Sequence, residues 1–247
     1  MGMTLQDRID ALRATSAQTP GVTSLVVFGS TTKAAAPRRD RWSDIDFNLF
    51  ISPDDAGKLA KENWPFLPDA QQLVLTAREG ENGGVALYDD GMICEFGAGF
   101  PWEIQDPDYE ILLDGGDLTF VPPPHPPDVA DELGLFLVKL LIGYGRIQRG
   151  EVVSGNGHLR GYAVTALAEV LRQTLVPEAP RSPFDPLRRL EQALPQLAAE
   201  IAVLQLADAP TCALGLINLA ERELADTLPG FPQRAFQVAR EALRSSE

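Results

Sequence analysis

Three acids and one turn carry the chemistry that this sequence can do. Ser43-Asp44-Ile45-Asp46 opens a run in which Asp44, Asp46 and Asn48 fall on one side of a strand while Ile45, Phe47 and Leu49 fall on the other. Successive side chains of a strand alternate faces, so this split gives one polar and one apolar side. Carboxylates at i and i+2 on one face stand about 7 Å apart at the backbone, and their repulsion calls for compensation. A divalent cation supplies it: Mg²⁺ takes oxygen ligands and is commonly held by one or two carboxylates together with substrate phosphates. Upstream, Phe28-Gly29-Ser30 closes the short apolar strand Leu25 to Phe28. Glycine allows close backbone approach, serine offers a hydroxyl, and a following helix start would add its dipole, all of which suit a phosphate. The third acid, Glu95, lies between Cys94 and Phe96. A carboxylate in an apolar strand is costly unless paired or metal-bound. Two roles are open for it, completing the metal site or acting as general base on an attacking hydroxyl.

The elements that must position these residues follow from periodicity. Residues 4 to 17 read as an amphipathic helix with Leu5, Ile9 and Leu12 on one face, and Ser43 to Ile51 is a strand packed on a core. A helix is expected from Pro53 to about Asn63, and a strand at Gln72 to Thr76. Val85 to Tyr88 and Met92 to Phe96 flank Asp89-Asp90-Gly91, a hairpin signal. A second hairpin is expected from Tyr109 to Leu113 and Leu118 to Val121 around Asp114-Gly115-Gly116. Val121 to Asp128 holds five prolines, can be neither helix nor central strand, and reads as an interdomain connector. Beyond it Leu133, Phe136, Leu137, Leu140, Leu141 and Tyr144 recur at helical spacing. A second helical run covers Leu159 to Leu171, with Gly155 to His158 as the loop that starts it. Further helices over 185 to 245 break at Pro195, Pro210 and Pro229. The second half is a helical bundle.

Composition narrows the partners. The 247 residues carry a formal net charge of −14, with 9 basic and 20 acidic residues up to position 125 and 12 and 15 after it. Nucleic-acid binding needs a basic face, so nucleic acid is excluded as the main partner. The longest apolar runs are far too short to cross a bilayer, which excludes a membrane partner. The N-terminus lacks the apolar stretch of a signal peptide, so a cytoplasmic protein is expected. Cys94 and Cys212 are read as buried free thiols, and His125 and His158 have no partner at metal-ligand spacing. Trp42, Trp64 and Trp102 are read as packing residues.

The acids and the turn resemble a known family. Phe28-Gly29-Ser30, then Ser43-Asp44-Ile45-Asp46 on the next strand, then a third acid on a later one, is similar to the nucleotidyltransferase fold of the DNA polymerase β superfamily. Several segments more specifically resemble the lincosamide nucleotidyltransferases, a two-domain type. They are Gly29 to Lys33, Asn63-Trp64, Cys94-Glu95-Phe96, Ile111 to Gly116 and Arg149-Gly150-Glu151. The likeness runs from about residue 20 to residue 175, and 176–247 matches only as helices.

The resemblance implies an α+β fold. Residues 1–125 would be a nucleotidyltransferase domain with a mixed sheet and helices, and 126–247 a helical acceptor-binding domain. It implies that Asp44 and Asp46 hold Mg²⁺ with Glu95 as the third acid, that Gly29 and Ser30 hold the nucleotide phosphates, and that Lys33 and Arg149 contact phosphate. Arg149-Gly150 also reads as a plain helix C-terminus. The Ala/Pro/Arg-rich span between Lys33 and Ser43 is where the loop over the nucleotide can depart from the family. The implied reaction is transfer of AMP from ATP to a hydroxyl of a small molecule, a lincosamide or aminoglycoside-like antibiotic, with release of pyrophosphate. A homodimer is compatible with this reading. Two alternatives share the site: a regulatory module that binds a nucleotide without turnover, and a transferase acting on a protein hydroxyl.

Overall fold

The computed structural model describes residues 3–52, 64–99, 103–116 and 118–244. The helix expected over Pro53 to Asn63, and Trp102, lie outside the described residues. The chain divides into two compact units, Met1–Pro124 and His125–Glu247, with residues 121–128 in no regular structure. The fold is α+β, as expected: a mixed sheet with a helix against it, then helices.

The first unit starts with helix α1 (Leu5–Gln18), which Thr4 and Asp7 cap reciprocally: the Asp7 N–H donates to Thr4 Oγ1 at 3.2 Å and the Thr4 N–H to Asp7 Oδ2 at 2.9 Å. Strands β1 (Val22–Phe28), β2 (Ile45–Ile51), β3 (Leu73–Glu79), β4 (Gly83–Tyr88), β5 (Ile93–Gly99) and β7 (Tyr109–Leu113) form one sheet in the order β3-β4-β5-β2-β1-β7. Among the described strands of this sheet, β2 and β5 pair parallel and the other pairs are antiparallel. A small parallel pair joins β6 (Glu103–Ile104) to β8 (Thr119–Phe120).

The alternation of β2 does the sorting. Ile45, Phe47, Leu49 and Ile51 are buried with Ile9 and Leu12 of α1 and with Trp64, Phe66 and Phe96. Phe47 stacks on Phe96 with ring centroids 5.2 Å apart, and Phe66 meets both edge-on. Because β2 has β5 on one side and β1 on the other, it is central, and its polar face is carried where the core cannot shift.

One expectation is corrected. Tyr109–Leu113 and the segment after Gly116 do not close a hairpin: β7 runs antiparallel to β1, and Thr119–Phe120 pairs with Glu103–Ile104. The cause is local. The Gly115 N–H donates to Ser24 Oγ at 2.8 Å, and a Cβ on Gly115 would stand 2.6 Å from the Thr23 carbonyl oxygen. The glycine turn is therefore pressed onto β1, whose open side takes β7 instead.

The second unit is a helical bundle around Phe136, Leu140, Leu167, Leu171, Leu216 and Phe236. Its first helix, Val129–Gln148, is capped by Asp128, whose Oδ1 accepts the Ala130 and Asp131 N–H groups. A second correction falls here. Gly155 to His158 is not a loop but helical, within Val152–Asn156 and the π-turn Gly157–Tyr162, which leads into the helix Ala163–Leu175. A Cβ on Gly143 would lie 2.5 Å from the Leu159 nitrogen and one on Gly155 2.7 Å from the Gly143 carbonyl oxygen. These glycines let two helices touch rather than ending one. Pro195 and Pro210 sit in the first turns of Pro195–Leu206 and Ala209–Leu224, where a missing N–H costs nothing. Among the described residues, no helix is long and apolar enough to cross a membrane.

Candidate functional site

The polar face of β2 begins where β1 ends. Gly29 turns the chain out of β1 with φ 54°, in the left-handed region that favours glycine, and donates its N–H to the Asp108 carbonyl at 3.1 Å. Residues Gly29–Thr31 form one tight turn and Lys33–Arg38 a second. The Ser30 hydroxyl lies 3.0 Å from the Asp44 carbonyl oxygen and 3.2 Å from Asp44 Oδ1. The buried Thr31 hydroxyl accepts the Asp46 N–H at 3.1 Å and lies 3.4 Å from the Asp44 carbonyl. The turn thus reaches both aspartates through hydroxyls one residue apart.

Asp46 and Glu95 are register partners on the parallel strands β2 and β5, so both lie on the sheet face opposite Ile45, Cys94 and Phe47. On the other side of β2, Asp46 is paired with Phe28 of β1. Asp44 precedes the strand, which begins at Ile45 rather than at Ser43. The fold therefore brings Gly29, Ser30, Asp44, Asp46 and Glu95 to one end of the central strands. Among the described residues, no three His, Cys, Asp or Glu side chains stand together as a group that could hold a metal ion. What fits a hard cation is the donor chemistry of the Asp44 and Asp46 pair, oxygen only, with positions left over for phosphate oxygens.

The two expected phosphate contacts each have an acidic partner within their own unit. Lys33 gives its N–H to Glu110 Oε2 at 2.6 Å and its ammonium to Glu110 Oε1 at 2.9 Å, although its side chain is 84% exposed. Burial raises the Glu110 carboxyl, but the Lys33 N–H and ammonium outweigh it and hold the group below its usual range. Arg149 belongs to the helical unit. There it ends the Val129–Gln148 helix, is followed by Gly150 at φ 82°, and pairs with Glu151 at 3.2 Å, the arrangement of a helix C-terminus.

Three arginines or acids with clear roles were not picked out from the sequence. Arg8 is fully buried: it pairs with Asp69 at 3.2 Å and Asp90 at 2.9 Å and lies over the Tyr88 ring at 3.8 Å. It ties α1 to the hairpin turn that delivers Glu95. Its spacing from Leu5 and Leu12, three and four residues, places it on the core face of α1 and was the available signal. Asp108 takes Gly29 through its carbonyl and Arg38 through its carboxylate at 3.3 Å. Only the β1–β7 pairing reveals it. Arg39 donates from Nε to the Ser30 carbonyl at 2.9 Å, from Nη2 to the Thr31 and Thr32 carbonyls at 2.6 and 3.1 Å, and from Nη1 to Gln6 Oε1 at 2.9 Å. Nothing in Arg38-Arg39-Asp40-Arg41 distinguishes it from its neighbours.

Cys94 backs this site from the core side. Burial pushes its thiol up to about 12, against the Arg8 guanidinium and together with the Asp46, Asp44 and Asp90 carboxylates.

No family model matches the chain, and no curated protein matches it. Among solved structures, it is similar to the crystal structure of an aminoglycoside 6-adenyltransferase from Bacillus subtilis, at 9% identity, with 98% of each chain covered and a TM-score of 0.43.

Proposed function

We propose that the chain is a Mg²⁺-dependent nucleotidyltransferase that moves AMP from ATP to a hydroxyl of a small molecule and releases pyrophosphate. The observation that carries this reading is the convergence of the Gly29-Ser30 turn, Asp44 and Asp46 at the ends of β1 and β2, with Glu95 in register beside Asp46. Asp44 and Asp46 would hold the metal, which would supply Lewis-acid stabilisation of the negative charge on the phosphate. Gly29 leaves the turn open to close backbone approach, so a phosphate can lie against it. Ser30 holds Asp44 through its hydroxyl. Glu95 stands on the same face and would take the proton from the acceptor hydroxyl.

The acceptor we assign is a cationic, hydroxyl-bearing molecule of the lincosamide or aminoglycoside kind. The acidic excess of the first half, 20 acids against 9 bases, steers a cation by its field. Turnover tests the reading: pyrophosphate release with Mg²⁺, ATP and a panel of such acceptors, expected to fall by about 10³-fold or more in Asp46→Asn. Activity that survives this substitution sinks the mechanism. Calorimetric binding of ATP with no turnover across the panel would favour a regulatory nucleotide-binding module instead.

A further inference from the structure

We propose that Arg39 is a positioning residue for the carboxylate pair: it fixes Asp44 and Asp46 by gathering the backbone of the turn whose hydroxyls hold them. The inference rests on the reading of Asp44 and Asp46 as a cation site. Its geometry is a chain of short bonds. One guanidinium collects the carbonyl oxygens of three successive residues, Ser30, Thr31 and Thr32, at 2.9, 2.6 and 3.1 Å. Three carbonyls turned toward one point define the course of the turn, and with it the direction of the Ser30 and Thr31 side chains. Those two hydroxyls then meet Asp44 and the Asp46 N–H. The fourth bond, to Gln6 in the first turn of α1, anchors the guanidinium to the helix that packs on the core face of β2.

A planar fork with five N–H donors suits this task and an ammonium does not, because lysine offers a point charge rather than a fixed spread of donors. The segment that carries Arg39 is the Ala/Pro/Arg-rich span, and this assigns it a role: Lys33–Arg38 is a short helical turn whose last bond runs from the Arg39 N–H to the Ala36 carbonyl at 3.3 Å, and from its end the Arg39 side chain reaches back to Ser30, Thr31 and Thr32.

The sign of one measurement separates positioning from charge. A positive side chain bound to the turn that reaches the two carboxylates would oppose a cation there, so if charge alone mattered, Arg39→Ala would bind Mn²⁺ more tightly. A positioning role requires weaker binding. We expect Mn²⁺ alone, followed by loss of its free electron-spin-resonance signal on the full chain, to bind Arg39→Ala about 10-fold or more weakly than the wild type, in the range seen when a partner behind a metal ligand is removed. Arg39→Lys should recover only part of this. Arg38→Ala removes the same charge from a neighbour that pairs with the Asp108 carboxylate, and should leave Mn²⁺ affinity unchanged or slightly higher. A thermal melt of each variant shows that the fold persists. Binding lost in Asp46→Asn but kept in Arg39→Ala overturns the positioning role alone. Binding kept in Asp46→Asn overturns the cation site on which it rests.

Discussion

Two irregular segments of this protein are held by the same device, and they differ in what the device leaves open. In the first unit Arg39 gathers the carbonyls of Ser30, Thr31 and Thr32. In the second, Arg172 gathers those of Pro180, Pro186 and Arg188, at 3.4, 2.7 and 2.8 Å. The loop after residue 175 carries Pro177, Pro180, Pro183 and Pro186, so it has few N–H groups with which to pair its own carbonyls. Arg172 is only 2% exposed and closes that loop onto the bundle, with Arg181 from the loop pairing with Glu169 at 2.5 Å. Arg39 is half-buried and its turn ends in hydroxyls that reach carboxylates. One arginine seals a loop; the other presents one.

The comparison is broken or sharpened first by removing each guanidinium. Arg172→Ala deletes a side chain that is almost wholly out of water together with its three hydrogen bonds, and at about 1 kcal/mol per bond the expected loss is about 3 kcal/mol. Arg39→Ala lets water reach the freed carbonyls, so its expected loss is about 1 kcal/mol. Urea unfolding midpoints measure both. A larger midpoint shift for Arg39→Ala than for Arg172→Ala would reverse the assignment of which arginine is structural.

The sequence makes the parts of this comparison legible to different depths. The alternation Asp44/Asp46/Asn48 against Ile45/Phe47/Leu49 is a local property of β2, so the polar face and its central place could be read from periodicity alone. Leu133 to Tyr144 announces the first bundle helix in the same way. Arg39 and Arg172 could not be read, because each acts on backbone carbonyls, and a carbonyl looks the same in every residue. Nor could the pairing of β7 with β1, which depends on Gly115 lying against Thr23, a contact between residues far apart in the chain. Gly155 misled for a related reason: a glycine that allows two helices to touch reads, in one dimension, like a glycine that ends a helix.

Acid is a gentler probe of the same contrast, because the first turn is also held by a titrating group and the second by a guanidinium that stays charged. Lys33 keeps the Glu110 carboxyl below its ordinary range although burial opposes it. A carboxyl depressed in the folded state adds stability that is fully present above its unfolded pKa of about 4.3 and is lost as pH falls through the folded value. Lys33 is mostly in water, so the whole effect is at most about 1 kcal/mol. Glu110→Gln should flatten the pH dependence of stability below about pH 5 and leave it unchanged near neutrality. Equal slopes in the variant and the parent would show that Glu110 does not hold the turn.

The smallest effect expected is the one that tests whether the sheet under the carboxylates opens. Each unit has one free cysteine, and both are buried. Burial raises both thiols, Cys94 to about 12, where Asp46 and Asp44 add to it from across the sheet. The thiolate is the nucleophile, so near pH 8 neither should be alkylated by iodoacetamide in the native protein, and both should react in urea. Cys94 shares β5 with Glu95 and stands in register with Ile45, so any native labelling there measures opening of the β2–β5 pair. Arg39 acts on the turn and not on the ladder. Arg39→Ala should therefore leave Cys94 as protected as in the parent while Mn²⁺ affinity falls. Labelling that rises in step with the loss of affinity would instead trace that loss to a loosened sheet, and would make Arg39, like Arg172, a residue that only holds the fold.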